Sequence, residues 1–255
     1  MKKIRLDIEL IQRGLVDSRE LAKRLIMAGE VLVNNQKIFK PSYMVKEEDR
    51  IEIIEKPKYV SRGGIKLEGA LKDFNVNVKD KICIDIGAST GGFTDCLLKS
   101  GAKLVYAIDV GYGQLDISLR NNPNVIVYEK VNARYLDKFV EEGKIKINHN
   151  IELVVMDVSF ISVVKIIPSV SKVVSDSAEF IVLIKPQFEL EPKYISKGGI
   201  VKEEYHNLAI EKVKKFLESN EYKILNITPS KIKGSDGNQE YFIHFLNNKN
   251  LSISQ

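Results

Sequence analysis

Residues 82–93 read Ile82-Cys83-Ile84-Asp85-Ile86-Gly87-Ala88-Ser89-Thr90-Gly91-Gly92-Phe93. An apolar, β-branched strand runs into a glycine-rich turn, and a helix begins at its end. Glycine permits a backbone turn to approach a ligand closely. The spacing is not Gly-x-Gly-x-x-Gly, so a dinucleotide fingerprint fits poorly. The next strand, Tyr106-Ala107-Ile108-Asp109, ends in an acid. A carboxylate there can accept hydrogen bonds from both ribose hydroxyls of an adenosine ligand. A tight turn with a surface aspartate would read the same way residue by residue. The two features on consecutive strands favour a nucleoside site.

Outward from this turn, apolar strands are expected at Lys81–Ile86, Leu104–Ile108, Val125–Tyr128, Leu153–Met156, Phe180–Ile184, Lys223–Thr228 and Tyr241–Leu246. Helical periodicity fills Phe93–Ser100, Ser162–Val174 and Glu203–Ser219. This alternation predicts an α/β fold with a doubly wound, mostly parallel sheet. The link from Lys231 to Gln239 is rich in turn residues, so the last two strands are expected as an antiparallel hairpin at the sheet edge.

Upstream the pattern differs. Ile4, Ile8, Leu10, Ile11 and Leu15 have helical spacing up to Gly14. Asp17 or Ser18 caps a second helix with Leu21, Ala22, Leu25 and Ile26 inside, and Gly29 ends it. Val31 and Val33 form a strand, Asn34-Asn35 a tight turn, and Ile51 and Ile53 a closing strand. The expected division is a small α+β domain over 1–58, a linker over 59–64 around Ser61-Arg62-Gly63-Gly64, and the large domain over 65–255.

Residues 1–46 hold 10 of the 39 Lys and Arg but 5 of the 34 Asp and Glu, so the whole +5 excess of the chain lies there. A basic segment of that kind suits a polyanion, although a solvated basic face would look alike. No run of about 18 apolar residues and no signal-peptide pattern appears, so a cytoplasmic protein without a membrane partner is expected. Cys83 and Cys96 make neither a disulfide framework nor a zinc site, and His149, His206 and His244 are scattered, so no metal is expected.

Several motifs together carry a family resemblance. Arg5-Leu6-Asp7, Ser18-Arg19, Leu25-Ile26, Gly29, Val33-Asn34 and Asp49-Arg50-Ile51 resemble the RNA-binding domain named after ribosomal protein S-four. Asp85 before the first glycine is the form methyltransferases use, and the remainder resembles FtsJ-type RNA methyltransferases. Ser61–Leu67, Val110-Gly111-Tyr112-Gly113-Gln114-Leu115 and Ile184-Lys185-Pro186-Gln187-Phe188-Glu189 make the whole chain similar to the TlyA, or haemolysin A, family of rRNA cytidine 2′-O-methyltransferases.

The resemblance implies a Rossmann-like class I methyltransferase sheet, S-adenosyl-L-methionine as cofactor, and ribosomal RNA or a ribosomal subunit as partner. It implies a catalytic set of Lys66, Asp157, Lys185 and Glu240. The cofactor would lie on Asp85, Gly87, Ala88, Ser89, Gly91, Gly92, Phe93, Asp109 and Asp157. Asn132 would stand near the adenine, where relatives often carry an aspartate. RNA contacts would fall to Arg5, Arg19, Lys23, Arg24 and Arg62. Oligomeric state is open between monomer and weak dimer.

Ribose methylation needs a group that removes a hydroxyl proton or stabilises the alkoxide, and Lys185 is the expected residue for either role. Base-amine methylation commonly uses Asn/Asp-Pro-Pro-Tyr/Phe, whereas Asp157-Val158-Ser159-Phe160 lacks the prolines. Methylation at a pyrimidine carbon needs a cysteine nucleophile, and both cysteines lie in expected core elements. A non-catalytic ribosome-assembly factor and a membrane-lytic protein are the remaining alternatives.

Overall fold

The alternating strands assemble as expected, with the last pair an antiparallel hairpin at one edge of the sheet. The computed structural model describes residues 3–54 and 58–247. The chain divides into two units, Met1–Pro57 and Lys58–Gln255. Pro57, near the end of the domain expected over 1–58, lies outside the described residues.

In the first unit, strand β1 (Ile4–Arg5) leads into helix α1 (Leu6–Gln12), shorter than the apolar spacing suggested. Helix α2 (Arg19–Met27) is capped by Ser18, whose Oγ accepts from Leu21 N at 3.2 Å. Strands β2 (Val31–Val33), β3 (Gln36–Lys37), β4 (Met44–Val45) and β5 (Ile51–Ile53) follow. Asn34 and Asn35 both have positive φ, the tight turn that joins β2 to β3. Leu6, Leu10, Ala22, Ile26, Val31 and Val45 form its core.

The second unit opens with helix α3 (Arg62–Phe74). Arg62, Gly63 and Gly64, expected as linker, are therefore its first turn. Then come β6 (Ile82–Ile86), α4 (Gly92–Lys99), β7 (Leu104–Ile108), α5 (Ile117–Arg120), β8 (Val125–Tyr128), α6 (Leu136–Glu141), β9 (Leu153–Met156), α7 (Ile167–Val170), β10 (Glu179–Ile184), α8 (Pro186–Glu189), α9 (His206–Ser219), β11 (Lys223–Pro229) and β12 (Tyr241–Leu246). The helix expected over Ser162–Val174 is broken. Pro168 would clash with the carbonyl at 164 inside a continuous helix, so a 3₁₀ turn at Val163–Lys165 precedes the short α7.

The strands order as β11-β12-β10-β9-β6-β7-β8. All the pairs from β10 to β8 are parallel, whereas β12 runs antiparallel to both neighbours. The last two strands do pair as a hairpin, but β12 inserts beside β10 and leaves β11 at the edge. Its sequence explains this: Phe242, Ile243 and Phe245 are apolar on both faces and need cover on both, whereas β11 is largely exposed. Alternate residues face opposite layers. Cys83, Val105, Val155, Leu183 and Phe242 pack on α3 and α4, while Ile84, Tyr106, Met156, Val182 and Phe245 face the layer that includes α9. Antiparallel β12 begins where parallel β10 ends, with Ile184 opposite Tyr241. The chain reversal thus brings residue 240 to the carboxyl edge of the parallel strands, where open α/β sheets bind ligands.

Candidate active site

The turn after β6 is fixed by backbone and by Asp109. Gly87 N and Ala88 N donate to Ile108 O. Asp109 accepts Ser89 N on one oxygen at 2.7 Å and Gly111 N on the other at 2.6 Å. Each oxygen keeps lone-pair capacity for a ribose hydroxyl. Gly87 and Gly92 line the hollows and also make room for the chain's own packing. Gly87 has φ of +82°, and a Cβ there would lie 2.4 Å from the Asp157 carbonyl oxygen. A Cβ on Gly92 would lie 2.3 Å from Ser61 Oγ and 2.9 Å from Gly64 N. The first glycine therefore seats the β9 terminus against the turn, and the second seats the first turn of α3 on α4. Both contacts position groups used below.

Asp85 is fully buried, with Oδ2 accepting from Thr94 Oγ1 at 2.7 Å and Oδ1 without a hydrogen-bond partner. Burial pushes its carboxyl up to about 7, against the Thr94 bond. It stands behind the turn and is not exposed at its surface.

Four expected residues converge in two pairs. Lys66, on the buried face of α3, donates to Glu240 Oε2 at 2.5 Å. Glu240 is 2% exposed, and burial pushes its carboxyl up while Lys66 opposes this. Lys185, just after β10, lies 2.6 Å from Asp157 Oδ1, an ion pair outside hydrogen-bond geometry, and donates to Ser159 Oγ at 2.9 Å. Ser159 carried no signal in the sequence beyond its place between Asp157 and Phe160.

All four line one hollow of about 930 Å³, together with Ser61, Arg62, Ala88, Ser89 and Phe93. An adjoining hollow of about 530 Å³ lies against Asp109, Val110, Val131, Asn132 and Ile166. The two share Gly87, Ser89, Asp157, Ser159 and Phe160. Apolar walls beside Asp109 suit an adenine next to a bound ribose. Asn132 is placed there, but its Oδ1 accepts Arg134 N at 3.1 Å, which caps the turn that follows. Phe160 is 91% exposed at φ +64°, with its ring centroid 5.1 Å from that of Phe188. A non-glycine residue held at positive φ with its ring in solvent marks a strained, outward-facing position.

The remaining expected residues fall outside the hollow or at its rim. Gly91 packs beneath Leu115 and Leu119. Arg62 donates to Lys233 O at 2.9 Å at the rim. In the first unit Arg5 and Arg19 both bond Asp7, while Lys23 and Arg24 are exposed on α2. Cys83 and Cys96 are buried and pushed up to about 12 and about 11, so neither presents a thiolate. Among the described residues no group of three His, Cys, Asp or Glu is placed to hold a metal, and no helix is long and apolar enough to cross a membrane.

The chain is similar to known proteins over nearly its whole length. The FtsJ-like methyltransferase family model matches residues 59–246, and the S4 domain model matches residues 4–51. The chain is 43% identical to Hemolysin A of Brachyspira hyodysenteriae over 95% of its length and 100% of that protein. It is 37% identical to the 16S/23S rRNA (cytidine-2′-O)-methyltransferase TlyA of Mycobacterium tuberculosis, over 99% of its length and 93% of the relative. A solved structure from Streptococcus thermophilus, described as a hemolysin, is 40% identical with a TM-score of 0.69, covering 96% of this chain and 89% of that one.

Proposed function

This chain belongs to the FtsJ-like methyltransferase family, and from that membership we propose that it methylates a ribose 2′-hydroxyl of ribosomal RNA, at a cytidine, in the cytoplasm. The observation that carries the reading is a hollow lined by two lysine–carboxylate pairs that adjoins a second hollow through Asp157 and Ser159. The smaller hollow suits the adenosine of S-adenosylmethionine, with Asp109 on the ribose and Val110, Val131 and Asn132 around the adenine. S-adenosylmethionine supplies a methyl group on a sulfonium sulfur.

The chain's own residues account for the rest of the chemistry. Lys185 donates to Ser159 Oγ and lies against Asp157 as an ion pair outside hydrogen-bond geometry. An N–H that Ser159 leaves free would meet the ribose oxygen as it becomes anionic. In this reading Lys185 stabilises the alkoxide. Asp157 sets its direction through a backbone itself locked against Gly87. Lys66, held by Glu240, offers its remaining donors to the sugar-phosphate next to the reacting hydroxyl. Phe160 gives an exposed ring on which a splayed base can stack, with Phe188 behind it. With S-adenosylmethionine held there, its methyl would pass to the ribose oxygen, the sulfur would leave as a thioether, and the hydroxyl proton would go to solvent water. Much of the rate would come from holding oxygen and methyl in line, worth roughly 7 kcal/mol or more in well-oriented cases. The S4 unit would supply phosphate contacts that hold the RNA in register.

The test uses methyl-labelled S-adenosylmethionine and rRNA from cells lacking the protein. Label in a 2′-O-methylnucleoside is expected. Label on a base would overturn the reaction assigned here, and no transfer to free RNA or assembled subunits would favour a non-catalytic binding factor.

A further inference from the structure

Asp7 stands out in the first unit because it is fully buried and yet serves only surface groups. Its Oδ1 accepts Arg5 Nε at 2.9 Å and its Oδ2 accepts Arg5 Nη2 at 3.0 Å, a fork-on-fork contact. The same Oδ2 accepts Arg19 Nε at 3.0 Å. Arg5 comes from β1 and Arg19 from the first turn of α2, so one carboxylate gathers two arginines from separate elements. Their side chains stay 39% and 50% exposed. A guanidinium has five N–H donors, and Asp7 uses two on Arg5 and one on Arg19. The outer donors of both remain in solvent. Lys23, one turn beyond Arg19 on α2, adds a third cation.

We infer that Asp7 is a positioning residue that presets Arg5 and Arg19 as a joint fork for an RNA phosphodiester. The inference rests on the reading that this unit binds rRNA. Two unpaired arginines this close would repel and swing apart. Held by one buried carboxylate they surrender little rotamer freedom on binding, which favours the bidentate geometry a phosphate accepts.

Charge and positioning act in opposite directions, which makes the inference testable. Asp7→Asn adds one positive charge to the surface, and counterion release alone would tighten RNA binding and steepen its salt dependence. Loss of positioning would weaken it. The experiment measures affinity of the full chain for an rRNA fragment across a salt series, for wild type, Asp7→Asn, Arg5→Ala/Arg19→Ala, and the triple variant. The expected result is about a tenfold weaker Kd for Asp7→Asn, and no further loss when it is added to the double variant. The melting of Asp7→Glu, which keeps the carboxylate, and its RNA affinity serve as the control for a variant that fails to fold. Partial rescue of affinity by Asp7→Glu is expected. Equal or tighter binding by Asp7→Asn, while Arg5→Ala/Arg19→Ala binds weakly, would overturn the inference. Unchanged binding by the double arginine variant would instead overturn the RNA-binding reading of these arginines.

Discussion

Replacing Lys66 by methionine removes the cation from a pair in which Lys66 is 8% and Glu240 2% exposed. Methionine fills a similar volume, so the change isolates the charge. Breaking one side of a buried ion pair costs about 3–5 kcal/mol, because the remaining charge has lost its partner without regaining water. Replacing both partners by apolar residues is often close to neutral. Lys66→Met should therefore lose about 3 kcal/mol or more in urea unfolding followed by circular dichroism, and Lys66→Met/Glu240→Leu should recover to within about 1 kcal/mol of wild type. The single variant should also depend on pH. Burial already holds the Glu240 carboxyl above its ordinary value, and Lys66 is the largest influence opposing that. Without Lys66 it moves further up. A carboxyl raised in the folded state binds a proton that the unfolded chain releases, so the deficit should shrink as pH falls through the raised value. Both variants should be inactive. A loss below about 1 kcal/mol that does not vary with pH would refute the claim that this pair is a coupled buried unit.

Asp85 at about 7 makes the folded state hold a proton through the range where the unfolded chain has lost it, so stability should fall as pH rises from about 4 to 7. Asp85→Asn should remove that component, roughly 4 kcal/mol at most, as read by melts at pH 5 and 8. Gly92→Val should displace α3 and with it Lys66, lowering turnover by an order of magnitude or more, since even a Cβ would overlap Ser61 and the Gly64 backbone. Retained turnover would show that α3 need not sit there. Asn132→Ala should cost about 1 kcal/mol through loss of the turn cap, whereas Asn132→Asp should keep the cap. Calorimetric titration with S-adenosylmethionine then isolates any adenine contact from that structural loss.

The pattern of strands and helices was legible because nearly every strand of the large unit is apolar over its whole length and bounded by turns. The broken segment at 162–174 was not, although Pro168 gave the signal. Apolar spacing there is helical, and the proline overrides it. The insertion of β12 inside the sheet was also hidden, because hairpin pairing fixes neighbours but not which strand takes the edge. At the candidate site, the motifs located Lys66, Asp157, Lys185 and Glu240, and the ion pairs Lys185–Asp157 and Lys66–Glu240 join residues far apart in sequence. The glycines were legible as required, but their packing role was not. Gly87 and Gly92 make room for the chain's own Asp157 carbonyl and α3 turn. The burial of Asp85 was hidden in the motif: alternation in β6 turns it inward toward Thr94. Ser159 and the exposure of Phe160 depend on a positive-φ turn that no residue type announces.

The most direct measurement is the rate of 2′-O-methylnucleoside formation by wild type and Lys185→Ala, with S-adenosylmethionine affinity determined in the same preparations. Loss of a single donor that stabilises developing charge lowers turnover by about 10²–10³-fold. A fall of that size with cofactor affinity within about twofold is the expected result. Turnover near wild type in Lys185→Ala, or a loss explained by failure to bind the cofactor, would contradict the assignment of Lys185 to the reacting oxygen.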